Sequence, residues 1–357
     1  IAIMSGNFVQ RAECALLDKY ARAEAVIRAG ADLVVELPFP FCSAGAESFA
    51  AAGTWLAHAM GADTLAFGVS EDRGDLYERI ADVLTSLAFS QDFLAESKKY
   101  PEYGMAQIRE KCLQKHFVED ISAVLHSPND ILAIEYVKSI RTTGYPLKIR
   151  PIRRLSDRDD PCFVGATAIR EKLSRREEVS FHMPDNSFAV LERESGEGRL
   201  ADPARLRDMM FIHLRRRGDM PPFAEGNGGV LERLVRGAEQ ASDGEEMFSL
   251  AATKKYTNAR LRRAALFDLL SVMEEDVKRL PAYTLLLAAN AVGCTHLSSV
   301  KKTMPIPILT KPSDERILGE EARSMYKKAK EADRLYTLCR KDVPPADSYL
   351  RCTPYIE

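Results

Sequence analysis

Short apolar, β-rich runs at residues 1–4, 32–37 and 64–68 alternate with stretches of helical periodicity at 15–29 and 44–59, and no other feature restricts the fold so tightly. Strand–helix–strand alternation implies a parallel, doubly wound sheet, because each parallel crossover needs a helix to carry it. Gly30 and Gly61 follow the two helical stretches, where the reversing chain favours a residue without a Cβ. A longer helical region covers residues 75–117. At Ser127-Pro128-Asn129-Asp130 the serine suits a helix cap, the proline its first position, and Asp130 the place of a capping-box acid. That helix is expected to run to about residue 142 and stop at Gly144. Residues 147–155 then read as a strand, followed by an Asp-rich loop and a new helix near Thr167.

The character changes past Arg175. Polar sequence and long helical patterns replace the alternation, with one short extended piece at 306–309. The expected fold is therefore α/β, a Rossmann-like parallel sheet in residues 1–178, followed by a mainly helical C-terminal domain in residues 195–357. At 357 residues and 46% hydrophobic the chain can fill two cores. The opening at Ile1, inside an apolar run, reads as the interior of a strand, so the sequence is expected to begin within a fold.

A formal net charge of −2 excludes wholesale electrostatic attraction to nucleic acid or anionic membrane, so any RNA contact must be a local patch. The seven cysteines form no C-x-x-C pair and no zinc spacing with histidine; they read as reduced thiols of a cytoplasmic protein. No apolar stretch is long enough to span a bilayer, and the reading is of a protein without a membrane segment. The six histidines sit in unrelated contexts, which leaves nucleophilic hydrolysis unsupported.

In an open parallel sheet, ligands bind beyond the carboxyl ends of the strands, where loops and helix N-termini present N–H groups. Ser5-Gly6-Asn7, Glu36-Leu37-Pro38 and Gly68-Val69-Ser70-Glu71 fall at such places, although Gly6 and Gly68 also suit plain tight turns. A nucleotide needs cations for its phosphates, and the candidates are Arg11, Lys19, Arg150, Arg153, Arg154 and Arg170. The last opens a helix after Gly165-Ala166-Thr167, a geometry that suits a phosphate clamp as well as an ordinary solvated arginine. Asn129 either reaches a nucleotide or caps its own helix. The acids at Asp157, Asp159 and Asp160 either bind magnesium or are solvated. The run from Lys254 to Arg263 places basic side chains around Tyr256, as a phosphate-tracking and stacking surface would, or forms plain helix surface.

These residues resemble the tRNA(Met) cytidine acetate ligases, which have a fold of the nucleotidyltransferase (HIGH) superfamily. The stretch IAIMSGNFVQRAECALLDKYAR and the following AGADLVVELPFPF are similar to that family's strand, M-S-G-x-F-x-Q-R-G-E-P-A loop and next strand, departing at Ala12 and Cys14. LAFGVSE resembles its F-G-S-E loop with Val69 inserted; SPNDILAIEYV, GATAIR, ATKKYTNARLRR and PIPILTK match further segments in order. The resemblance covers nearly the whole chain. It implies an ATP-dependent ligase that makes acetyl-adenylate from acetate and acetylates N4 of the wobble cytidine of elongator tRNA(Met), with magnesium as companion ion. It also implies ATP-binding roles for Gly68, Asn129, Arg154 and Leu155 and puts Arg170 in the segment near the phosphates; from the residues themselves Ser5, Gly6, Arg11, Lys19 and Thr167 stand as further phosphate-site candidates, and Lys254, Lys255, Tyr256, Arg260, Arg262 and Arg263 as tRNA-contact candidates.

The family's catalytic H-x-G-H histidines have no counterpart in these residues, so no catalytic residue is assigned and the chain as it stands is expected to be inactive. Two rival expectations are a small-molecule adenylyltransferase, which the large helical part with its basic runs argues against, and a non-catalytic RNA-binding relative.

Overall fold

A computed structural model describes residues 1–155, 159–160, 162, 164–253 and 255–357, apart from the Pro312 side chain. Among these, seven strands form: β1 (Ala2–Ser5), β2 (Leu33–Leu37), β3 (Thr64–Val69), β4 (Lys148–Arg153), β5 (Thr284–Ala289), β6 (Ile308–Leu309) and β7 (Tyr355–Ile356). The chain divides into two compact units, one of residues 1–44, 155–252 and 258–357, the other of residues 45–154 and 253–257. The sequence boundary expected at 178–195 thus lies inside the first unit.

In the first unit β1 pairs in parallel with β2, as the alternation requires, across a crossover containing helix α1 (Lys19–Arg28). Asp18 caps α1 by accepting from the N–H groups of Tyr20 and Ala21, and Gly30 leaves it at φ +107. On its other edge β2 pairs antiparallel with β5, a partner that the reading of a helical C-terminal part did not supply. The sequence Thr284-Leu-Leu-Leu-Ala-Ala is buried on both faces, so it carries no alternation to announce a strand. β6 and β7 pair in parallel with successive parts of β5. Phe8, Phe39, Phe267 and Tyr336 pack edge to face nearby, with ring centroids 6.0–6.3 Å apart.

The second unit holds its own two-stranded sheet, β3 parallel to β4, so the expected strands are divided between two sheets. Around it lie α2 (Ala46–Ala59), α3 (Gly74–Leu84), α4 (Leu87–Lys99), α5 (Met105–Gln114), α6 (Ser122–His126) and α7 (Pro128–Thr143). The expected long helical region at 75–117 is three helices. Ser86 caps the second and Gly104 precedes the third, each a local stop that helical periodicity cannot see. Val69, Tyr77, Ile80, Leu113, Ile121 and Ile134 belong to one buried cluster that joins β3 to these helices. The ends of α7 match the sequence: Ser127 caps, Pro128 opens, and Gly144 closes at φ +69.

Candidate functional site

The parallel register sets Gly68 opposite Ile152 and Val69 opposite Arg153, so both strands of the second unit end side by side. One residue further, the Arg154 N–H donates to the Val69 carbonyl at 2.9 Å, which directs the Arg154 side chain across the end of β3. A Cβ on Gly68 would stand 3.0 Å from Arg154 Cγ and 3.1 Å from Cδ, so the glycine makes room for the arginine stem. Arg154 Nη1 donates to Asn129 Oδ1 at 3.2 Å, on the first turn of α7.

Asp130 takes a part that the capping-box reading missed. Its Oδ1 accepts from the Ser70 N–H at 2.9 Å and the Tyr77 hydroxyl at 3.1 Å, while its own N–H donates to Ser127 Oγ at 3.3 Å. Ser70 and Ser127 hydroxyls lie 2.8 Å apart, and Tyr77 also donates to the Glu71 carbonyl at 2.8 Å. Burial, then the Asp130 charge, pushes the Tyr77 phenol well up, so it stays a neutral donor. The loop after β3 is thereby pinned to the start of α7. Two strand ends, a helix N-terminus and an exposed arginine converge here, an arrangement that suits an anionic, nucleotide-like ligand. Leu155, the next residue, is half exposed.

In the first unit, Ser5 ends β1 and Gly6 follows it, and their carbonyls both accept from Arg22 Nη2. A Cβ on Gly6 would overlap the Glu36 carboxylate. Lys19 is not a free cation: at 3% exposure it bonds Glu36 at 3.1 Å and Asp333 at 2.8 Å, and Asn7 Nδ2 donates to Asp333 at 2.8 Å. Arg11 is exposed. Thr167 and Arg170 share the first turns of Ala166–Ser174, with Arg170 Nη2 3.4 Å from Thr167 Oγ1. Arg170 also lies 3.9 Å from Glu13, which Arg262 contacts as well. Asp333 and Tyr77 carried no sequence signal, because their ties to Lys19 and Asp130 span 314 and 53 residues.

Of the basic run, Lys254 lies outside the described residues. Tyr256 is 8% exposed and offers no open ring face. Arg260 and Arg263 both pair with Glu225, at 3.5 and 3.0 Å. Only Lys255 of the described run is both exposed and without a carboxylate partner among the described residues. As for magnesium, Asp157 also lies outside the described residues, and Asp160 accepts from the Cys162 N–H at 2.8 Å. Among the described residues no group of three or more His, Cys, Asp or Glu side chains is placed to hold a metal. No described helix is long and apolar enough to cross a membrane.

The HIGH Nucleotidyl Transferase family model matches residues 1–348. The tRNA(Met) cytidine acetate ligase of Kosmotoga olearia is 31% identical over 98% of this chain and 86% of its own length, and that of Thermotoga maritima 33% over 88% and 80%. A crystal structure of Thermotoga maritima TmcAL bound with alpha-thio ATP superposes with a TM-score of 0.92 at 27% identity, covering 99% of this chain and 91% of that one. Fold and matched residues define a HIGH nucleotidyltransferase, an α/β enzyme class. Within that class the chain belongs to the tRNA(Met) cytidine acetate ligase family, and it is an enzyme of the ligase type.

Proposed function

We propose that this enzyme spends ATP to activate acetate and transfers the acetyl group to N4 of the wobble cytidine of elongator tRNA(Met) in the cytoplasm. An acetate oxygen attacks the α-phosphorus, the bond from that phosphorus to the bridging oxygen breaks, and pyrophosphate leaves with acetyl-adenylate formed. The cytidine amine then attacks the acetyl carbonyl, AMP departs, and the nitrogen loses a proton. Such chemistry depends mostly on positioning and on compensating developing charge.

The observation that carries this reading is the Gly68–Asn129–Arg154 arrangement at paired strand ends. It is supported by the family's names and by the alpha-thio ATP in the similar TmcAL crystal. In this reading Gly68 gives the Arg154 stem its room, Leu155 lends an exposed apolar side chain to the nucleotide, Asn129 accepts from Arg154 and is held toward it, and Arg154 offers its remaining N–H groups. Ser5, Gly6, Arg11, Thr167 and Arg170 remain candidates for phosphate contact. Lys19, already engaged with two carboxylates, acts by holding the Ser5–Gly6 turn through Glu36. Magnesium enters only with the phosphates of ATP.

The test takes the protein expressed from its full genomic reading frame and incubates it with ATP, acetate and tRNA(Met), following acetylcytidine by mass spectrometry of the digested RNA. Acetylcytidine that requires both ATP and acetate is the expected result. ATP consumption with unmodified RNA would overturn the tRNA reading and point to a small-molecule acceptor.

A further inference from the structure

The basic run is shared between the two units, and its arginines and its lysine differ in electrostatic state. Arg260 and Arg263 share Glu225 and Arg262 pairs with Glu13 within the first unit, which offsets part of their pull on a polyanion. Lys255 belongs to the second unit, where its Nζ donates to the Pro101 carbonyl at 3.4 Å and its backbone lies against Gly104, whose Cβ position is 3.2 Å from the Lys255 carbonyl. It therefore joins the turn between α4 and α5, Tyr100-Pro101-Glu102-Tyr103.

That turn carries an aromatic pair and several cations. The Tyr100 and Tyr103 rings stack with centroids 5.1 Å apart and 19° between planes. Lys111 Nζ sits 3.5 Å from the Tyr100 centroid and Lys99 Nζ 5.3 Å. Lys111 and Lys115 share Glu96, but Lys98, Lys99 and Lys255 have no carboxylate within ion-pair distance among the described residues. Tyr103 is 40% exposed, in contrast to the buried Tyr256. Stacked aromatics flanked by uncompensated lysines take up an unstacked base and the phosphates beside it, the chemistry of a single-stranded RNA loop. A folded duplex offers no free base face to such a stack.

We infer that Tyr100 and Tyr103, with Lys98, Lys99 and Lys255, form a contact surface on the second unit for single-stranded nucleotides of the RNA substrate. This rests on the tRNA reading above. Full-length protein variants Tyr103→Ala, Tyr103→Phe, Lys98→Ala/Lys99→Ala and Lys255→Ala, with Arg263→Ala for comparison, are titrated with tRNA(Met) at several salt concentrations. ATP binding is measured alongside. The expected results are about tenfold weaker RNA binding for Tyr103→Ala, with Tyr103→Phe near the parent, and in the lysine variants a salt slope reduced by ~0.7 for every phosphate no longer neutralised. ATP affinity stays unchanged throughout, and Arg263→Ala has the smaller effect on RNA. Parent-like RNA affinity in Tyr103→Ala and in the lysine variants would overturn this surface and leave the tRNA reading standing. A parent protein that binds ATP but no tRNA would overturn both.

Discussion

Gly68 has no side chain to spare for the space it borders. An alanine there would press on the aliphatic stem of Arg154, which is exposed and free to swing, so the guanidinium leaves Asn129 while the fold is hardly touched. Gly68→Ala is expected to weaken ATP binding about tenfold, ~1.4 kcal/mol, with a change in urea stability within ~0.5 kcal/mol; calorimetric titration beside urea melts separates the two. Lys19 is the opposite case, a residue held by the interior. Burial alone would pull its pKa down, but Asp333 and then Glu36 more than reverse this, leaving it well above the ordinary lysine value. Its stabilisation is therefore complete below the unfolded value of ~10.4 and fades only as pH rises through the folded one. Burial raises Glu36 against the pull of Lys19. In Lys19→Met that pull is gone, and Glu36 rises further above the unfolded ~4.3. The variant should lose about 3–5 kcal/mol at pH 8 and recover part of it near pH 5, where the buried acid takes its proton. Urea melts at both pH values check this, and an equal deficit at each would refute it.

Among the elements, α7 is held at both ends by residues legible in advance. Ser127→Ala removes the cap on the Asp130 N–H together with the Ser70 contact, at an expected cost of about 1 kcal/mol. Gly144→Ala forces a Cβ into left-handed backbone and should cost about 1–2 kcal/mol; thermal denaturation of the two single variants and the double tests whether the losses add, as distant sites should. The cap and stop of α7 could be read from the sequence because each is decided within four residues, whereas Ser86 and Gly104 interrupt a helical periodicity that runs on past them. The division of strands between two sheets could not, since the β3–β4 register links residues 64–69 to 148–153 and leaves no local trace. The same applies to the site. Gly68, Asn129 and Arg154 are legible in the sequence, but the Asp130–Tyr77–Ser70 ties that fix them exist only once α3 and α7 are packed.

Across the whole molecule, seven cysteines are all free thiols, and their exposure sorts them. Cys14, Cys42, Cys112 and Cys339 are buried, Cys294 and Cys352 are partly covered, and Cys162 is exposed. A thiol reagent on native protein should modify Cys162 first and reach the four buried groups only on unfolding, which peptide mapping at timed intervals reads directly. Hydrogen bonding to Asp160, then its charge, holds the Cys162 thiol above its usual value, so labelling should be slow at neutral pH and speed up toward alkaline pH as thiolate forms. Appreciable early labelling of Cys42 would contradict the packing around β2.

The pairing of β2 with β5 has a consequence for how the chain is made. Thr284 Oγ1 donates to the Glu36 carbonyl at 2.7 Å across a sequence separation of 248 residues. At roughly 5–20 residues per second the ribosome needs on the order of 10–50 s to deliver β5 after β2 has emerged. Residues 45–154, which lack only the short 253–257 segment of their unit, are complete long before that. During that interval the apolar flank of β2 waits on the nascent chain for a partner not yet translated, and chaperone occupancy of β2 should persist until β5 leaves the exit tunnel.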